Sequence, residues 1–281
     1  MALTVRTNVG ALNAIKTLNG TQNSLTKSLG RVSSGSRINR AGDDAAGLSV
    51  SSRMKSDNVS LKAAMRNTND GISLIQTTEG SLTEVYNILT RMRELSVQAA
   101  NDTYSTTDRN QISIEFNALR DEISRITSDA NFNRITVLNS TKSLKFQIGI
   151  NNTTNNHFTL NLGQVSAGLG ALSIKAAGAG SVSIGKNANF ARLAITKIDT
   201  ALTSVNDKRA RLGAFQNRLE SSLNTAANYS QNLSSAASQI SDVDYATESA
   251  DLTKYQIMQQ AGVAALGQAK ALPQSIISLL S

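Results

Sequence analysis

Apolar residues return at alternating steps of four and three from Ile198 to Ile240. The row is Ile198, Leu202, Val205, Arg209, Leu212, Gln216, Leu219, Leu223, Ala226, Ser230, Leu233, Ala237 and Ile240. This spacing predicts one long helix with a coiled-coil seam, in which polar Arg209, Gln216 and Ser230 weaken the packing but help to fix its register. Two upstream stretches step the same way: Leu74, Thr78, Ser81, Val85, Ile88, Met92, Leu95 and Ala99, then Ile112, Phe116, Leu119, Ile123 and Ile126. The polar run Asn101–Asp108 between them predicts a loop. Three helices, two from the N-terminal half and one from the C-terminal half, make an antiparallel bundle.

Both ends carry a further amphipathic pattern. Val5, Val9, Leu12, Ile15, Leu18, Leu25 and Leu29 form an N-terminal stripe. Leu252, Tyr255, Met258, Leu266, Leu272, Ile276 and Leu279 form a C-terminal one. Two helices pair there, yet one antiparallel partner cannot cover each stripe completely, so copies of the chain are the expected cover. The alternative is that the stripes pack only on each other within one chain. In the middle, Leu144, Phe146, Ile148 and Ile150 alternate with polar neighbours as a half-buried strand. Asn151–Asn156 reads as a turn, and Phe158, Leu160 and Leu162 as the returning strand. Gly163–Gly185 reads as loop with short strands. The fold expected is mainly α: an elongated antiparallel helical bundle or coiled coil with a small β-hairpin region, its N- and C-terminal helices paired.

Composition sharpens this. Aromatics make up 4% of the chain, without Trp, and the one proline is Pro273, so thin aliphatic packing and uninterrupted helices are favoured over a thick core. Cysteine is absent, which excludes disulfides and thiolate metal sites. No membrane span and no secretory h-region are visible. The net charge of +8 raises nucleic-acid binding, but no run of basic residues or interleaved aromatics supports it, and no nucleic-acid partner is expected. The first 42 residues hold six cations and no acid, whereas residues 239–281 are mildly acidic, so the two arms can attract one another.

Several ordered motifs point to a family. Ser33–Leu48 (SSGSRINRAGDDAAGL), Asn67–Gly80 (NTNDGISLIQTTEG) and Arg91–Asn101 (RMRELSVQAAN) resemble the N-terminal region of bacterial flagellins. Phe132–Asn133, Gln147–Gly149, Arg211–Leu219 (RLGAFQNRL), Ile240–Asp244 (ISDVD) and Leu272–Leu280 (LPQSIISLL) continue the resemblance. The motifs are ordered and reach both ends, and the resemblance they carry extends over about four-fifths of the chain.

The resemblance implies a structural subunit that polymerises into the flagellar filament for motility, secreted to the extracellular flagellum by an export route that reads no cleaved signal. It implies an inner domain from residues 1–42 and 239–281, a bundle domain from 43–238 with its β element near 143–185, and no outer domains. The implied partners are a homo-polymer, the flagellar export apparatus, an export chaperone, and the filament cap and junction proteins. A hook–filament junction protein, with similar terminal helices, is the nearest rival. Arg91, Leu95 and Glu115 match positions at which flagellins of the common type contact Toll-like receptor 5 of vertebrate hosts. Ser and Thr between 139 and 185 are candidates for O-glycosylation.

No catalytic, cofactor or metal residue is expected. Asp43 and Asp44 lack a companion acid, base or metal ligand, and suit a helix break followed by a helix start. His157, the lone histidine, has no cluster of ligands around it and is placed at the surface.

Overall fold

In a computed structural model, which describes residues 7–162, 184, 185 and 187–280 and side chains as far as Ala271, five long helices dominate. They are α1 (Val9–Ser34), α2 (Ala45–Ala99), α3 (Thr106–Asp129), α4 (Ala188–Ser241) and α5 (Tyr245–Leu280). Four short strands lie between α3 and α4: β1 (Asn131–Phe132), β2 (Ile135–Thr136), β3 (Ser143–Gln147) and β4 (His157–Asn161). The fold is thus mainly helical, with a small antiparallel β region. The expectation for Gly163–Gly185 falls outside the described residues, Ile184 and Gly185 excepted.

The chain divides into two compact units, residues 59–230 and residues 1–58 with 231–281. The boundary expected at 42/43 falls between α1 and α2, and the one expected at 238/239 falls within α4, close to its end. These units divide within α2 and within α4.

In the unit of residues 59–230, buried positions repeat every seventh residue. On α4 these are Ile198, Val205, Leu212, Leu219 and Ala226, with Ala194, Ala201 and Lys208 as the second row. On α3 they are Arg109, Phe116 and Ile123. On α2 they are Ile75, Leu82, Leu89 and Ser96, alternating with Thr78, Val85, Met92 and Ala99. The α2 seam corrects the sequence reading. Ser81 and Ile88 are only half-buried, while Leu82 and Leu89 are fully enclosed. Leu74 and Ile75 are both buried, so stepping from Leu74 slips one residue against the deeper row.

Local chemistry sets the connections. Ser105 and Asp108 form a reciprocal cap at the start of α3: the Asp108 N–H donates to Ser105 Oγ at 3.2 Å, and the Ser105 N–H to Asp108 Oδ2 at 3.0 Å. Arg109 then reaches back. Its Nε donates to the Ala99 carbonyl and its Nη2 to that of Asn101, each at 2.9 Å, placing a cation at the negative end of α2. The β1–β2 pair was not foreseen. It turns through Asn133 (φ 47°) and Arg134 (φ 64°), a two-residue connection in the left-handed region that matches strand twist. In the β3–β4 hairpin Leu144 faces Leu160 and Phe146 faces Phe158. The ring of Phe158 meets Phe215 of α4 edge-on at 5.3 Å. The strand ends at Gln147, earlier than the alternation suggests, because the Gln147 amide donates to the Gly149 and Asn151 carbonyls and turns the chain. On α2, a Cβ at Gly71 would stand 3.3 Å from Leu219 and 3.4 Å from Phe146, so glycine permits the close approach there.

In the other unit, α1 and α5 run antiparallel. Asn8 caps α1 by accepting from the Ala11 N–H at 2.9 Å, and Gly35 ends it in the left-handed region (φ 69°). The chain beyond α1 bridges to the end of α4: the Arg37 N–H donates to the Ser241 carbonyl at 2.7 Å and the Val243 N–H to that of Gly35 at 3.1 Å. The two acids after Gly42 divide their labour. Asp44 alone caps α2, its Oδ1 accepting from the Gly47 N–H at 2.8 Å. Asp43 instead folds the loop onto α1, accepting the Asn39 and Arg40 N–H groups and a 2.8 Å contact from Lys27 Nζ.

Those bonds, the one from Lys27 foremost and the Asn39 N–H next, hold the Asp43 carboxyl down at about 2 against an ordinary 3.8. Since the folded value lies below the unfolded one, the stabilising contribution is complete above about pH 4 and is lost as the pH falls toward 2. The melting temperature of the parent chain should therefore exceed that of Asp43→Asn above that window, with the gap closing inside it. A gap that does not depend on pH would rule the ion pair out as its source.

Candidate functional site

The surface expected to matter is the apolar lining of the two terminal helices. The face by which α1 meets α5 is the row Ala11, Ala14, Leu18, Thr21, Leu25, Ser28 and Val32, all buried or half-buried. The opposing row on α5 is Leu252, Tyr255, Gln259, Gly262, Leu266 and Ala269, all half-buried. Both step three and four, as a coiled-coil seam requires. At Gly262 the helices approach closely: a Cβ there would stand 3.2 Å from Leu18 Cδ1. Polar bonds fix the register. Asn8 Nδ2 donates to the Ala269 carbonyl at 2.8 Å, Gln259 Nε2 to Gln22 Oε1 at 2.6 Å, and the Tyr245 hydroxyl to the Val32 carbonyl at 3.2 Å. Near the far end, Arg31 lies 3.6 Å from Glu248.

This seam uses only part of the sequence-read stripes. Leu18, Leu25, Leu252, Tyr255 and Leu266 are half-buried in it. Val9 (57% exposed), Leu12 (56%), Ile15, Leu29 and Met258 lie off the seam and face outward. Ile257 (61%) and Val263 (56%) join them and were missed by the sequence reading. The signal for these two was present: each lies outside the 252–255–259–262–266–269 row, on flanks the seam leaves open. Val5 lies outside the described residues, as do the side chains of Leu272, Ile276 and Leu279.

The second candidate surface is on α2 and α3. Arg91 donates from Nε to Glu115 Oε1 and from Nη1 to Glu94 Oε2, both at 2.9 Å. The bond to Glu94, then that to Glu115, raises the Arg91 pKa. Both ends of the Arg91–Glu115 pair are about half exposed. Leu95 is not with them. It is 3% exposed and belongs to the hydrophobic core, one turn beyond Arg91. Arg91 and Glu115 are thus exposed together, whereas the Leu95 side chain is buried. His157 is half-buried, its Nε2 3.2 Å from Asn152 Oδ1. Among the described residues no group of three or more His, Asp or Glu side chains stands together, and no helix is long and apolar enough to cross a membrane.

Comparison with known proteins matches residues 5–143 to the bacterial flagellin N-terminal helical region and residues 195–280 to the bacterial flagellin C-terminal helical region. The flagellar filament 30.7 kDa core protein of Treponema maltophilum is 40% identical over 283 residues, covering 98% of both chains. A flagellin of Halalkalibacterium halodurans is 41% identical over 274 residues, covering 97% of this chain and 98% of that one. The solved structure of a putative flagellar hook-associated protein from Vibrio parahaemolyticus aligns with 71% of this chain and all of that one at a TM-score of 0.55 and 13% identity, a likeness of fold alone. Two matched helical regions and near-complete alignment to filament proteins separate the chain from the junction-protein alternative: it belongs to the bacterial flagellin family and is a structural subunit of the flagellar filament.

Proposed function

We propose that the uncovered flanks of the α1–α5 pair are the surfaces by which neighbouring copies lock into the filament. One observation carries this: large apolar side chains at Val9, Leu12, Ile15, Ile257 and Val263 stand in solvent, outside the row that joins the two helices. Burying such rows against further copies removes apolar surface from water, and a head-to-tail contact that does not close yields an open polymer. Isolated helices are marginal in water, so the terminal pair gains much of its order from assembly. The paired termini act as the inner filament domain, and the three-helix unit with its hairpins is a second domain.

The export apparatus, an export chaperone, the filament cap and the junction proteins are the further partners of this role, and the extracellular flagellum is its place. The role is mechanical and calls for no catalysis. Limited proteolysis tests the reading: the ends of the soluble chain should be trimmed within minutes and become resistant after growth on filament seeds. Equal resistance in both states would mean that assembly does not order them.

We extend the proposal to recognition of the soluble chain by Toll-like receptor 5 through Arg91 and Glu115, which lie side by side on the surface of α2 and α3. Arg91→Glu places three acids together and should lower receptor activation by about tenfold or more, as loss of a central charged contact does. Circular dichroism checks that the fold persists. Activation at the parental level would reject this surface.

A further inference from the structure

With cysteine absent, all the sulfur of this chain is in five methionines: Met1, Met54, Met65, Met92 and Met258. They differ in exposure. Met1 lies outside the described residues, Met54 and Met65 are half-buried, and Met92 is fully enclosed in the core of the three-helix unit. Met258, 42% exposed, is the most open of the four described.

Its place on α5 decides what a change at its sulfur would touch. Met258 follows exposed Ile257 and stands outside the row Leu252, Tyr255, Gln259, Gly262, Leu266 and Ala269 that meets α1. The bonds that fix the register of the pair come from Asn8, Gln259 and Tyr245, and none of them uses the thioether. A polar group on this sulfur can therefore stay hydrated in the single chain. At Met92 the same group would enter the core and act on folding. A thioether oxidises the more readily the more it is exposed, and its sulfoxide replaces a flexible apolar side chain by a polar one that is costly to bury.

We infer that Met258 is a site of reversible oxidation, whose sulfoxide hinders addition of the chain to a filament while leaving its fold intact. The oxidant is a peroxide. A lone pair on Met258 Sδ attacks one oxygen of hydrogen peroxide, and the S–O bond forms as the O–O bond breaks. The transferred oxygen gives up its proton to the departing hydroxide, which leaves as water; sulfur loses two electrons and the peroxide gains them. A thiol-dependent sulfoxide reductase reverses the step, two thiols becoming a disulfide while the oxygen leaves as water. The effect on assembly rests on the reading that the flanks of the α1–α5 pair are contacts between copies. On that reading the polymer covers Met258, which both shields the sulfur from oxidant and excludes a sulfoxide.

The test adds hydrogen peroxide to the full soluble chain and to seed-grown filaments, and follows each methionine by peptide mass spectrometry. Among Met54, Met65, Met92 and Met258, Met258 should oxidise first in the soluble chain, and at least about fivefold more slowly in filaments. The chain oxidised there should keep its melting temperature. Its critical concentration for seeded growth should rise at least about tenfold, as the loss of one buried apolar side chain implies. Sulfoxide reductases for both epimers, with dithiothreitol, should restore the starting value. Met258→Leu is compared only with itself: peroxide should leave its critical concentration where it stood before treatment. Equal oxidation of Met258 in soluble chain and filament, growth of the oxidised chain at the untreated critical concentration, or an equal rise in treated Met258→Leu would each overturn the assignment. The flanks themselves are judged without oxidant, by Leu12→Asp combined with Val263→Asp. If that variant fails to grow while the oxidised chain grows normally, the inference at Met258 falls and the flank reading stands.

Discussion

Phe116→Ala is expected to lower the unfolding free energy by about 3–5 kcal/mol, the range for removing a large buried aromatic side chain. Phe116 has no exposed surface and occupies the centre of the three-residue buried row of α3, seven residues from Arg109 and from Ile123. Other members of the same core are equally covered: Leu89 and Met92 on α2 and Ile198 and Val205 on α4 are at or near zero exposure. Side chains held in regular layers have little freedom to collapse into the space a ring leaves, so the cavity term adds to the lost transfer free energy. Ile114, two residues earlier and facing solvent, is the control; Ile114→Ala should change stability by less than about 0.5 kcal/mol. Urea unfolding with an unchanged m-value reads both. A loss below about 1 kcal/mol for Phe116→Ala would mean that the α3 layer is not packed as described.

What could be read from the sequence follows the size of the side chains that make each contact. The α4 row was legible because Ile198, Val205, Leu212 and Leu219 are large, apolar and seven apart, and nothing competes with them. On α2 the reading slipped by one residue at Ser81 and Ile88, because a helix packed on several sides buries adjacent positions, as Leu74 and Ile75 show. On α1 the large residues marked two faces: Leu18 and Leu25 lie in the α1–α5 seam, whereas Val9, Leu12, Ile15 and Leu29 lie off it. The rest of the contact is made through Ala11, Ala14, Thr21 and Ser28, which hydrophobicity alone does not flag. Closeness of the two helices, set by Gly262 against Leu18, is what makes small residues the right ones there. Leu95 shows the same limit for a site: its neighbour in sequence order on the surface, Arg91, is exposed, but four residues of helix rotate Leu95 into the core. The β1–β2 hairpin was invisible because its strands are two residues long, too short for alternation to register, and Asn133–Arg134 carries no glycine to announce a left-handed turn.

The same division between seam and flank separates folding from assembly, and gives the second large expected effect. Leu12→Asp combined with Val263→Asp should leave the soluble chain folded but abolish growth on filament seeds. Each residue is more than half exposed in the single chain, so a carboxylate there remains hydrated and costs the monomer little. In a polymer that covers both flanks, the lost burial is worth about 1.5–3 kcal/mol per side chain. Desolvating the new charges adds to that, which makes the total for the pair at least about 3–6 kcal/mol. Converted at 1.4 kcal/mol per decade, the critical concentration rises by at least about a hundredfold, and toward ten-thousandfold at the upper figure. Light scattering with seeds, at concentrations spanning three decades, measures it, and melting curves of the soluble variant verify the fold. Leu18→Asp serves as the contrast. Leu18 lies in the seam against Gly262, so its replacement should disrupt the α1–α5 pair itself and weaken both melting and assembly. Should the Leu12/Val263 variant elongate seeds at the parental critical concentration, these flanks are not the contacts between copies, and the interface must be sought on the three-helix unit instead.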